Sequence, residues 1–305
     1  EGLLHRRFYP QTATRYFDWP NAQRARPWRL WLDDNELISV TTLSSGGTTI
    51  TAADFFLEPN TTGPPYNQLQ IDLDSSSAFG GGSTHQRDIT ITGLYGYTND
   101  ETLACDVDEA MTATETDLDV TDTTGIGVGN ILRIGTERLI VTEKTMKDTA
   151  VNIDAGDSLT ASVADVSITM STTTAAPTVG EMILIDSERM LVVDKAGLVL
   201  TVKRAWDGTV LATHAAAADI YAPRTLTVTR GALGTTAATM AAGDDIYRWD
   251  VPGPVRELCI AEALNTLLQG QSGYARTIGS GENQREMHGR GLRELRESVY
   301  TSHGR

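Results

Sequence analysis

The sequence predicts an α+β fold, mainly β: a small helix-and-strand core that carries an inserted, repeat-containing β domain and is completed by C-terminal helices. Three observations predict it. Short alternating or continuous apolar runs broken by Gly, Asn and Asp extend from Thr12 to Tyr247 in the manner of strands and turns. Two internal echoes mark a supersecondary unit used again. LTVKRAWDGTVLATHAAAADIY (Leu200–Tyr221) returns as LTVTRGALGTTAATMAAGDDIY (Leu226–Tyr247), and VGNILRIGTERLIVTEK within Thr121–Lys144 returns as VGEMILIDSERMLVVDK within Thr172–Lys195. After Val251-Pro252-Gly253-Pro254 the apolar period changes from that of strands to that of helices.

Glu1–Tyr9 reads as the last turns of a helix stopped by Pro10, which implies a segment upstream of residue 1. Thr12–Asp18 and Pro27–Trp31 alternate in the β manner. Leu37–Leu43 is a strand, turned by Ser45-Gly46-Gly47 into Thr48–Thr51. Asp54–Glu58, Leu69–Leu73 and Ile89–Tyr97 follow as short strands, with Ser75–Thr84 as a flexible loop tip. In each copy of the middle echo a strand (Ile131–Ile134; Met182–Ile185) meets a two-residue turn and a partner strand (Leu139–Val141; Met190–Val193). Apolar and polar positions alternate only partly there, as in strands buried on both faces. Residues 105–250 therefore read as one all-β region of two related halves, the second half carrying the extra 26-residue copy. That leaves 1–104 and 251–305 as the two parts of the core.

Pro254 suits a first helical position. Val255, Leu258, Cys259, Leu264, Leu267 and Leu268 then form an amphipathic stripe, expected to be a core helix closed by Gly270. Gln271–Gly281 reads as a Gly/Ser linker, Gln284–Tyr300 as a second, charged helix, and Thr301–Arg305 as a frayed tail or a segment that orders on a partner.

The net charge of −15 argues against a general nucleic-acid-binding role. It is unevenly spread. Asp100–Asp165 holds fifteen acidic and four basic residues, whereas Glu1–Arg29 holds six Arg and two acids. Val251–Arg305 interleaves Arg with Glu, and the whole chain has four Lys. Arg-rich ends around an acidic middle suit protein–protein docking, because the guanidinium fork matches a carboxylate. Cys105 and Cys259 make no disulfide framework and fit a reducing cytoplasm, Cys259 as a small core residue. No stretch reads as a membrane span or a signal peptide.

Chemistry is sparse. The five His are scattered without helical metal-pair spacing, and no CxxC occurs. Asp72–Asp74 and Asp117–Asp122 lack the Gly and distal Glu of a calcium loop and read as solvated turns. Gly80–Thr84 lacks the Lys of a phosphate-binding loop, and Gly125–Gly129 lacks the third Gly of a dinucleotide fingerprint. The expectation is of no catalytic residue, no metal ligand and no cofactor: a structural protein, not an enzyme.

LLHRRFYPQTATRYFDWP, RLWLDDNELISVTTLSSGGTTITAADFFLEPN, PPYNQLQIDL, DITITGLYGY and VPGPVRELCIAEAL occur in order over roughly 2–98 and 251–270. Together they resemble the head–tail adaptor (head-completion or connector) proteins of tailed bacteriophages. That family's pattern is a helix ending near RRFYP, short strands ending in a GxWGY-like segment, and a helix beginning near VPxxVREA. Leu94 departs from it, and about 150 residues intervene where members usually have a few. The resemblance implies a virion protein of the phage neck, assembled in the host cytoplasm. It would form a homo-oligomeric ring, usually a dodecamer, beneath the portal protein and carry the next neck or tail protein. DNA would pass through its channel without specific binding, and no membrane is implied. The family's C-terminal segment reaches into the portal, which makes Arg285, Arg290, Leu292, Arg293, Leu295, Arg296, Val299 and Tyr300 the expected docking residues. The alternative is a virion-surface or tail-associated β protein that binds carbohydrate or a receptor. It needs exposed aromatic platforms, and Trp19, Trp28, Trp31, Trp206 and Trp249 are few and dispersed along the sequence.

Overall fold

A computed structural model describes residues 2, 4–19, 26–271, 277–278, 285–286 and 289–304. The fold is α+β and mainly β. Its contacts divide the chain into two compact units, Glu1–Asp100 with Asp250–Arg305, and Glu101–Trp249.

In the first unit β1 (Gln11–Phe17), β3 (Leu37–Ser45), β4 (Thr48–Ile50) and β7 (Ile89–Tyr95) form an antiparallel sheet in the order β1-β7-β3-β4. A second, three-stranded sheet holds β2 (Arg29–Trp31), β6 (Gln68–Ile71) and β5 (Phe55–Glu58), in the order β2-β6-β5. The alternation in ITITGLY sends Ile89, Ile91 and Tyr95 of β7 into the core, where Leu32, Leu37, Leu43 and Leu69 meet them. The buried Tyr95 hydroxyl donates to Ile91 O at 3.1 Å. Residues expected to end a helix do not form one. Those described among 2–9 are turns and bends, and His5 takes a left-handed backbone (φ 51°) that no α-helix accommodates.

The second unit consists of two closed barrels, one inserted in the other. The first contains β8 (Glu101–Asp106), β9 (Asp117–Asp119), β10 (Ile131–Ile134), the start of β11 (Glu137–Asn152), the end of β16 (Asp219–Thr229) and β17 (Asp245–Trp249). Pairing runs β9-β16-β11-β10-β17-β8, and the bridge Val107↔Val120 joins the two ends. The second contains the end of β11, β12 (Ser167–Thr169), β13 (Met182–Ile185), β14 (Glu188–Ala196), β15 (Val199–Lys203) and the start of β16. Pairing runs β12-β15-β14-β13-β16-β11, closed by Ile153↔Met170. Closure removes the open edges that a twisted sheet would otherwise expose. Each barrel has its own apolar core, Leu118, Leu132, Leu139, Leu226 and Ile246 in one, Ile168, Ile183, Met190, Leu200 and Ile220 in the other.

This arrangement corrects the reading of the repeats. Leu226–Tyr247 is not an extra piece of the second half; it pairs with β9, β11, β10 and β8 and completes the first barrel. Leu200–Tyr221 completes the second. The two echoes are parts of one repeat, interrupted in the first copy where the second is inserted. The β domain also begins at Glu101, a few residues before the expected bound.

A buried Arg–Glu clasp recurs in each barrel. In the first, Arg230 donates from Nε and Nη2 to the two oxygens of Glu137, both at 2.8 Å. Gly231 N and Ala238 N complete the carboxylate, and Arg230 reaches the carbonyls of Thr112, Glu115 and Ala238. In the second, Arg204 grips Glu188 at 2.8 and 2.9 Å, Ala205 N and Ala212 N complete the carboxylate, and Thr160 O, Asp165 O and Ala212 O receive the remaining guanidinium N–H groups. One difference between the copies bears directly on the carboxylate. His214, with Nε2 3.0 Å from Glu188 and Nδ1 2.8 Å from Asp186, stands where the first barrel has Met240. Burial raises both carboxyls, yet the donors outweigh it: Glu137 is held below the usual carboxylate range, and Glu188 is pulled down to about 2.

Where the barrels join, Arg224 on β16 makes a third clasp with Glu181, both bonds 2.8 Å, and Lys144 Nζ donates to Thr123 O and Ile126 O. The Asp117–Asp122 run is occupied locally: Asp119 faces Lys147 at 2.9 Å, and Asp122 accepts from Thr124 N at 2.7 Å. Cys105 is buried in the first barrel, which pushes its thiol up to about 12.

Candidate docking surface

The chain leaves the β domain at Trp249 and enters α1 (Gly253–Gln271), whose first turn is set when Arg256 N donates to Pro252 O at 3.0 Å. A short strand pair, β18 (Thr277–Ile278) and β19 (Arg285–Glu286), precedes α2 (Gly289–His303). The second helix thus starts at Gly289, later than expected, and runs three residues further, to His303.

The helices pack on one another. Arg296 closes on Glu262 through Nε and Nη2, the Nη2 bond being 2.7 Å, and holds the Glu262 carboxyl below the usual range. Arg296 is exposed and Glu262 only half-buried, so solvent screens the pair and it contributes little. Leu292, Leu295 and Val299 form the covered face of α2, an i, i+3, i+7 set.

The C-terminal segment was expected to reach a neighbour, but its last turns lie on their own unit. Arg6 Nη1 donates to His303 O at 2.9 Å, and the His303 ring meets the Tyr97 edge at 5.9 Å. Val299 is buried within the chain, so it is a packing residue and not a free docking residue. Arg293, Arg296 and Tyr300 are exposed. Arg285 lies in β19 and Arg290 in the first turn of α2; their side chains fall outside the described residues.

The core-helix expectation also needs correction. Val255 and Leu258 are buried, whereas Cys259, Leu264, Leu267 and Leu268 are exposed. The sheltered positions of α1 are 255, 258, 261, 262, 265 and 269, which beyond Leu258 are Ala, Glu, Asn and Gln. Ile260, Leu264, Leu267 and Leu268 form an i, i+4, i+7, i+8 stripe, each 47–63% exposed. The expected single stripe is split: Val255 and Leu258 are covered by the chain, while Leu264, Leu267 and Leu268, on the other side of the helix, face solvent.

RRFYP and GLYGY meet below these helices. The Arg6 guanidinium pairs with Glu36 at 3.0 Å and lies 4.7 Å over the Tyr97 ring, and Phe8 stands edge-on to Tyr97 at 5.5 Å. Gly96 makes the approach possible. It has φ +141°, and a Cβ there would lie 2.4 Å from Tyr9 O. Among the described residues no group of three His, Cys, Asp or Glu gathers to hold a metal, and no helix is long and apolar enough to cross a membrane. The arrangement offers side chains for binding: an apolar helix stripe flanked by Arg and Glu. Comparison with known proteins returned no matching family model, no matching curated protein and no matching solved structure.

Proposed function

We propose that the chain is a structural head–tail adaptor of a tailed bacteriophage. In this reading, copies of the chain form a ring, a dodecamer by the family resemblance, beneath the portal protein. The ring extends the DNA channel and carries the next neck or tail protein. The observation that carries the reading is the apolar stripe Ile260, Leu264, Leu267, Leu268 on α1, left in water by its own chain. A contiguous apolar helix face of this kind marks an interaction surface. Burying the exposed half of each side chain against a neighbouring copy contributes on the order of 1 kcal/mol per residue. The ordered motifs support the same reading, since RRFYP and GLYGY pack together. The net charge of −15 adds that an acidic ring repels the phosphate backbone, so DNA slides through without sticking.

The test is mass photometry of the chain alone and mixed with a portal protein, beside a Leu264→Asp/Leu267→Asp variant. A ring-sized species is expected with the parent chain and not with the variant, while the circular dichroism of the two remains the same. A chain that stays monomeric in both conditions overturns the reading.

A further inference from the structure

A cleft of about 270 Å³ beside β1 gathers like charges. Its wall holds Arg6, Arg7 and Arg15 together with Asp34 and Glu36, and Tyr95 forms part of its floor. Arg6 pairs with Glu36 at 3.0 Å. Arg7 and Arg15 differ from it. Among the described residues neither forms an ion pair, and each donates instead to a neutral amide, Arg7 to Gln11 and Arg15 to Asn35. Apart from His5, three arginines against two acids leave the wall with one positive charge.

Both guanidiniums are steadied by aromatic rings. Arg15 lies 4.3 Å over Tyr95, and Arg7 lies 5.4 Å over Tyr9. Burial pushes Arg15 below the ordinary arginine range; Tyr95 works against this, and the charge of Arg7 adds to it. The fold thus holds two like charges together without the carboxylate that would offset them. A guanidinium has five N–H donors, so one amide bond leaves each fork able to grip a further pair of oxygens. The cleft is smaller than the sites that enclose small molecules, about 300–1,000 Å³, and suits a single inserted side chain. One carboxylate makes the wall neutral, whereas a phosphate group brings excess negative charge against Asp34 and Glu36.

The complementary surface lies in the same sequence. Asp100–Asp165 carries fifteen acidic and four basic residues. Asp122, Asp154 and Asp165 there accept from backbone N–H groups of their own turns, and Asp108 and Asp119 hold Lys147. Glu109, between β8 and β9, and Asp117, the first residue of β9, stand exposed. We propose that the Arg7–Arg15 cleft receives a carboxylate from this acidic face of a second copy of the chain. The contact is heterologous: a basic cleft on one copy meets an acidic face on the next, and such contacts repeat into a closed ring when the rotation allows. The inference rests on the adaptor reading in requiring that copies associate, and it uses none of the residues on α1 or α2.

The test is a charge exchange followed by mass photometry of the full chain, alone and with a portal protein. Arg7→Glu/Arg15→Glu makes the cleft acidic, and Glu109→Arg/Asp117→Arg makes the facing surface basic. Each variant alone brings like charges together at every junction, so its ring-sized species should fall by about tenfold or more. An equimolar mixture of the two variants should recover that species, because every junction again joins opposite charges. A variant that had failed to fold could not be rescued in this way. The proposal is overturned if Arg7→Glu/Arg15→Glu assembles like the parent, or if the mixture stays as dissociated as its components; in both cases the adaptor reading stands, since the parent assembles. A parent chain that never assembles overturns the two together.

Discussion

Replacing Glu188 by Gln removes one negative charge from the centre of the second barrel's clasp and keeps the side chain's shape. The carboxylate is fully buried and receives Arg204 at 2.8 and 2.9 Å, Ala205 N at 2.8 Å and Ala212 N at 2.9 Å, with His214 3.0 Å away. Its pKa of about 2 against an ordinary 4.5 is worth about 3 kcal/mol at 1.36 kcal/mol per unit. That is the same order as the 3–5 kcal/mol lost when one partner of a buried ion pair is removed. The folded value lies below the unfolded one, so the contribution is complete above pH 4.5 and is lost as pH falls toward 2. Glu188→Gln should therefore lower stability by about 3 kcal/mol at pH 7. It should also flatten the acid dependence between pH 4.5 and 2 relative to the parent. Urea titration followed by fluorescence, in a background where the other four Trp are replaced by Phe, reads this barrel, since Trp206 follows the Arg204 clasp with Lys203 over its ring at 4.7 Å. With a slope of about 1–3 kcal/mol/M, the midpoint at pH 7 should drop by at least about 1 M. A variant within about 0.5 kcal/mol of the parent at pH 7 would refute the claim that the clasp holds the barrel.

Two further outcomes follow from the same geometry. Arg230→Met strands the Glu137 carboxylate in the first barrel beside the neutral Met240, whereas Arg204→Met leaves Glu188 beside His214; the first should cost about 3–5 kcal/mol and the second measurably less, by urea titration of each variant. An equal or larger loss for Arg204→Met would remove His214 from the account. Gly96→Ala forces a Cβ to within 2.4 Å of Tyr9 O at a backbone angle that only glycine adopts readily, so calorimetry should show the first unit destabilised by at least about 2 kcal/mol; an unchanged melting temperature would show that the RRFYP–GLYGY contact is slack.

The strands of the first unit were legible because each has a local signature. ITITGLY alternates, and Ser45-Gly46-Gly47 turns β3 into β4. The barrels were legible as repeats and not as topology. Glu137 and Arg230 are far apart in sequence, and no local period indicates that Leu226–Tyr247 returns to strands laid down before the insertion. Composition counted Glu137 only as one acid of Asp100–Asp165 and did not single out Glu181 or Glu188, so it gave no sign that all three are buried against Arg. On α1 the apolar residues expected to share one face do not: Val255 and Leu258 lie on one side and find partners in the chain, while Leu264, Leu267 and Leu268 lie on the other and do not. Trp19 and Trp31 looked dispersed because two sheets had to form before they could line one cleft.

In the second barrel, β14 and β15 are joined by the tight hairpin Ala196-Gly197-Leu198, at the position where the first barrel instead opens to admit the second. Growth at this point is modular. A third barrel spliced in at Gly197 would extend the array by one whole unit while β8 and β17 stayed paired and Asp250 N kept its 2.8 Å bond to Asp100 O. The entry and exit strands would not need to move, however long the array became. The protein thus carries a built-in address for lengthening: a single hairpin at which spans of β structure can be added or removed between unchanged ends.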